Sequence, residues 1–82
     1  MDTIARTPRQ LGNYIRQRRH ELDLTQEQLA AMIGVRQRTI SQLETTAAAR
    51  TATVLSALAA LDLELVIRPR TKSSAKDVEA IF

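Results

Sequence analysis

Between Gln26 and Leu43 the apolar residues fall at spacings that leave the backbone little freedom. Leu29, Ile33, Val35, Ile40 and Leu43 are apolar, Ala30 sits among them, and Gly34 interrupts them. The small Ala30 suits a place where two helices approach closely. Gly34 suits a sharp turn, because glycine enters the left-handed region without a steric penalty. The stretch therefore predicts two short helices packed across a tight turn. Between these fixed points the side chains are polar or basic: Arg36, Gln37, Arg38, Thr39, Ser41 and Gln42. A segment that holds its own shape while presenting Gln and Arg fits a partner that is anionic and rich in hydrogen-bonding groups. Duplex DNA is the first candidate.

The rest of the composition narrows the field. Eighty-two residues make one small domain with one modest core. Twelve Lys and Arg stand against nine Asp and Glu, a net charge of +3. Ten of the twelve are Arg, which suits planar, bidentate contacts to phosphate or guanine. With no cysteine, disulfides, thiolate catalysis and Cys-based zinc sites are excluded. No apolar run approaches membrane-spanning length, and the first residues do not form a signal peptide, so a cytoplasmic protein with no membrane partner is expected. Tyr14 and Phe82, the two aromatic residues, are too few for a base-stacking platform.

Local signals divide the chain. Residues 1–6 read as a loose arm. Thr7-Pro8 reads as a helix start, a capping hydroxyl followed by proline at the first helical position. That helix is expected to run to about Leu22, with Leu11, Ile15, Arg19 and Leu22 as its stripe and Tyr14 and Arg18 beside it. Thr25 and Gln28 form a capping box for a second helix that ends at Gly34. A third helix is expected over about Arg36 to Glu44. Residues 45–50 form a connection without glycine. A fourth helix covers about Thr51 to Leu61, with Val54, Leu55, Leu58 and Leu61 on one face.

The periodicity then changes. Leu63-Glu64-Leu65-Val66-Ile67-Arg68 alternates with period two and is stopped by Pro69. This predicts one β-strand, at about residues 62–68, in an otherwise helical chain. A lone strand cannot satisfy its own backbone hydrogen bonds, so it implies a mate from another chain. Leu63, Leu65, Val66 and Ile67 are then dimerisation residues. The plainer alternative is a fourth helix that continues through Ile67. Residues 71–82 read as a flexible polar tail, leaving 1–70 as the folded domain.

At this point a resemblance is clear. Leu24-Thr25-Gln26-Glu27-Gln28-Leu29-Ala30, followed by Ile33-Gly34-Val35 and Ile40-Ser41-Gln42-Leu43-Glu44, resembles the phage-repressor (Xre/Cro) helix-turn-helix family over about residues 8–61. The segment from Leu58 to Arg68, with its polar tail, more narrowly resembles the HipB-like antitoxins. The resemblance implies an all-α, phage-repressor-like bundle of four helices plus a C-terminal β-strand that pairs across a homodimer. It also implies double-stranded operator DNA and a HipA-type serine/threonine kinase toxin as partners. The chain departs from the broad family at Thr45-Thr46, where Asn or Gly often follows the glutamate. It also lacks the fifth helix usual in phage repressors.

Site residues follow from this frame. Gln37 and Arg38 open the helix that enters the major groove in this motif, where Gln can pair with adenine and Arg with guanine. Ser41 and Gln42 lie one turn further along the same face, and Arg36 stands at the helix start. The plainer alternative is that these five only solvate an exposed face. Gln26, at the start of the second helix, is placed to hold a phosphate with the backbone N–H groups there. The resemblance also implies that Gln26 braces Gln37. Arg16 and Thr39 are further phosphate candidates. Arg19 falls on an apolar stripe, where a buried guanidinium needs an acid. The resemblance implies that Glu44 is that acid, in a structural ion pair.

No enzyme is predicted. One histidine, His20, reads as a solvated side chain, and Glu21 and Asp23 are two apart, so they do not share a helical face. The glycines, Gly12 and Gly34, form no phosphate loop. No cofactor or metal is expected. Three function classes stay open: a dimeric repressor that is also an antitoxin, a stand-alone Xre-type regulator, and a protein-interaction scaffold. The Arg36, Gln37 and Arg38 cluster argues against the last.

Overall fold

The computed structural model describes residues 3–70, which fold into four helices: α1 Pro8–Glu21, α2 Gln26–Ile33, α3 Gln37–Thr46 and α4 Thr51–Ala60. The expected tail at 71–82 lies outside the described residues. α1 and α2 begin at side chains that take up a free N–H group, while the N-caps of α3 and α4, Arg36 and Arg50, make no side-chain capping bond. Thr7 accepts the Gln10 N–H at 3.1 Å ahead of Pro8. Thr25 and Gln28 form a reciprocal capping box, with bonds of 3.0 and 2.8 Å. Gly34 ends α2 at φ 73, and the Val35 N–H returns to the Ala30 carbonyl at 3.0 Å.

α1 packs chiefly on α3, and α2 packs on both α3 and α4. Between them lie Ile15, Leu29, Ala30, Ile40, Leu43, Ala57, Leu58 and Leu61. Ile15, Leu29, Ile40, Leu43 and Leu61 are fully buried. Side chains of this size contribute about 1.5–3 kcal/mol each when removed from water. Gly12 lets α1 sit directly on the end of α3. A Cβ there would lie 2.5 Å from the Glu44 carbonyl oxygen.

Three details differ from the sequence expectation. α3 runs two residues past Glu44, and the Thr45 and Thr46 hydroxyls donate to the Ser41 and Gln42 carbonyls at 2.8 and 3.2 Å. Ala47, at φ 54, then ends it in the left-handed region. In α4 the inward positions are Val54, Ala57, Leu58 and Leu61, one helical stripe, while Leu55 lies off it and is 43% exposed. Leu22 is 39% exposed, because Asp23 at φ 56 turns the chain back and Leu24 packs on the core instead.

α4 does not continue into the following segment. Asp62 takes φ 58, and the Leu63 N–H closes back on the Leu58 carbonyl at 2.8 Å, which stops the helix. Leu63 is half-buried against the core. Beyond it Leu65, Val66 and Ile67 are exposed, Ile67 at 90%. Residues 63–70 are neither helix nor strand. A strand at 62–68 needs the backbone of a second chain, so the expected pairing is a property of an assembly.

Candidate nucleic-acid interface

α3 is divided lengthwise. Ile40, Leu43 and Glu44 are buried, and Thr39 is half-buried beside them. Gln37, Arg38, Ser41, Gln42 and Thr45 are exposed. These positions follow the helical repeat, so one continuous polar face points away from the core. Arg36 precedes it as the N-cap, in extended backbone, with no side-chain capping bond. Its guanidinium is therefore not used to close the helix. The first turn of α3 carries no acidic residue, which leaves its positive end open to an anion. Gln37, Arg38, Ser41 and Gln42 thus share one exposed face, and Arg36 is exposed at its N-terminal end.

That face is tied to the interior by a chain of polar contacts. Arg19 and Glu44 are buried, 7% and 4% exposed. Arg19 donates through Nε to Glu44 Oε2 at 2.7 Å and through Nη2 to Oε1 at 3.1 Å. Its Nη1 donates to the Leu24 carbonyl at 2.7 Å. Gln26 Nε2 donates to Glu44 Oε1 at 3.3 Å, and Gln37 Nε2 donates to Gln26 Oε1 at 3.3 Å. The ion pair and the Gln26–Gln37 brace thus form one network. It runs from the α1–α3 contact to the first residue of the exposed face. Among the described residues no buried side-chain nitrogen or oxygen lacks a partner, so the network carries no unmet desolvation.

Beside it runs a polar cleft lined by Arg9, Asn13, Arg16, His20, Gln26 and Thr45. It brings the phosphate candidates Arg16 and Gln26 to one place. Thr39 lies elsewhere, half-buried on α3. Asn13 and Thr45 were not expected here; their polar types alone carry no signal before the packing of α1 on α3 is known. Leu65, Val66 and Ile67 stand apart from this face, on the segment after α4.

This is the fold and surface of a DNA-binding helix-turn-helix domain. A family model for the helix-turn-helix matches residues 15–66, and the chain belongs to this family, in its Xre type. Among solved structures it is similar to HipB. A serine-to-alanine variant of HipB in an O2 20mer complex matches with TM-score 0.80 and 28% identity, over 87% of this chain and 100% of that one. A HipA–HipB–O2–O3 complex matches with TM-score 0.75 and 29% identity, again over 87% and 100%. A HipB–O4 20mer complex does so with TM-score 0.76 and 29% identity over the same shares. No curated protein sequence matches the chain. Among the described residues no helix is long and apolar enough to cross a membrane.

Proposed function

We propose that the chain is an operator-binding repressor that acts as a homodimer and is the antitoxin of a HipA-type serine/threonine kinase. The observation that carries the DNA reading is the exposed face of α3, headed by Gln37 and held by Gln26. Arg36, Gln37, Arg38, Ser41 and Gln42 read base edges. Gln26, Thr39 and Arg16 hold backbone phosphates and set the register of the helix in the groove.

The dimer reading rests on the segment after α4. Leu65, Val66 and Ile67 are exposed, and their backbone has no ladder partner among the described residues. Antiparallel pairing of two such segments around a two-fold axis gives every strand a partner. The toxin reading rests on the likeness to HipB, one of whose matching structures is a complex with HipA.

Selection from a random duplex pool tests the repressor. The expected product is a palindrome with half-sites about one turn apart, roughly 34 Å. Single half-sites, or no enrichment, would contradict it. Co-expression with an untagged HipA-type kinase encoded beside it tests the antitoxin. Co-purification and relief of the kinase's toxicity are expected. Operator binding without either outcome would leave a stand-alone Xre-type regulator.

A further inference from the structure

Two neighbouring arginines on α1 grip different elements. Arg19 holds α3 through Glu44. Arg18 turns the other way: its Nε donates to the Leu61 carbonyl at 2.9 Å, at the end of α4. Its terminal nitrogens lie 4.0 Å from the Asp62 carboxylate and 3.9 Å from that of Glu21. Leu61 itself is fully buried, and Asp62 takes a left-handed φ of 58. The Leu63 N–H is fastened to the Leu58 carbonyl at 2.8 Å. The chain therefore leaves α4 through a clasp made of a reversed residue, a backbone bond and the Arg18 guanidinium.

We propose that Arg18 is a positioning residue for operator spacing: it fixes the direction in which residues 63–68 leave the domain, and so the separation of the two recognition helices. This rests on the paired-segment dimer above. α1 packs chiefly on α3 and α4 on α2, so Arg18 supplies a direct polar tie between α1 and the end of α4. The adjacent Arg19 joins the same helix to the recognition helix. A continuous run of hydrogen bonds and helix backbone then connects the root of the dimer segment to α3. The geometry makes small errors costly. Each recognition helix of such a dimer stands about 17 Å from the two-fold axis, half the usual separation. A change of exit direction at the clasp that carries it along the duplex by about 3.4 Å is a shift of one base-pair step. Loss of the clasp therefore blurs the choice between operators whose half-sites differ in spacing by one base pair. It leaves the reading of each half-site intact, since Arg18 lies outside the exposed face of α3.

The test uses a set of duplexes that carry the same two half-sites separated by spacers stepped one base pair at a time. Full-length wild type, Arg18→Met and Asp62→Val are compared on it, and on a single half-site. Methionine keeps the apolar stem of Arg18 and removes the donor. Asp62 is 96% exposed, so Asp62→Val strains the left-handed reversal and opens the same joint without touching the core. Wild type is expected to prefer one spacing at least tenfold over its neighbours. Both variants are expected to bind neighbouring spacings within about threefold of one another, with half-site affinity unchanged. A wild type with no preferred spacing overturns the paired-segment dimer and this role together. A sharp wild-type preference retained by Asp62→Val, or by a folded Arg18→Met, overturns the role of the clasp alone.

Discussion

A guanidinium on the apolar stripe of α1 is tolerable because Glu44 meets it with two hydrogen bonds and Leu24 with a third. Removing the acid while keeping the base leaves a buried charge unpaired, which costs about 3–5 kcal/mol. Glu44→Ala is therefore expected to lower the melting temperature sharply, a large share of the stability of so small a domain. An unchanged melting curve would show that Arg19 finds solvent or another partner. Ala47 makes the opposite case. Its φ of 54 is one that alanine adopts at a cost of about 1–2 kcal/mol. Ala47→Gly is expected to raise stability by about 1 kcal/mol, measured by urea unfolding. A loss of stability would mean the left-handed turn is not what limits this position. Arg19 was legible in the sequence because a charge on an apolar stripe demands an explanation. The end of α3 was not, since no glycine marks Ala47. Gly12 was also silent, because its use depends on how closely α1 approaches Glu44, a distance set by tertiary packing.

At the scale of elements, capping chemistry told most. Thr7-Pro8, Thr25 with Gln28, and Gly34 each place a helix end where the structure has one. The inward face of α4 was less legible, because Leu55 outweighs Ala57 in hydrophobicity while the helical repeat buries the smaller residue. The segment after α4 declared itself by a change of period at Leu63, which told against a continued helix. The reversal at Asp62 is the physical reason that α4 stops. Whether residues 63–68 pair with a second copy is open to a direct test. Proline at Leu65 or Val66 removes a backbone donor, and alternate N–H groups along a strand face the mate. At least one of Leu65→Pro and Val66→Pro is expected to shift sedimentation at micromolar concentration from dimer toward monomer. A monomeric wild type, or two variants that both sediment as dimers, would contradict the paired segment.

For the whole molecule, the network from Arg19 through Glu44 and Gln26 to Gln37 joins folding to recognition. The hydrogen bonds that hold α1 on α3 also steady the first side chain of the exposed face. A stability defect at Glu44 is accordingly expected to weaken DNA binding as well. The net charge of +3 adds a general attraction to duplex, so affinity is expected to fall steeply with salt. That response reports phosphate contacts and says little about reading. Base reading is the central claim, and Arg38 is its most exposed test: it lies on the outer face of α3, within no hydrogen bond or ion pair among the described residues. Its removal therefore leaves the fold alone. The decisive measurement is the sequence preference of Arg38→Ala against wild type, read from the same selected duplex and its single-base variants at fixed salt. A loss of about 1–3 kcal/mol on the cognate site is expected, with preference relaxed at one position of each half-site and kept elsewhere. An equal loss on every sequence, or an unaltered preference, would contradict base reading by Arg38 and leave it a phosphate contact or a solvated side chain.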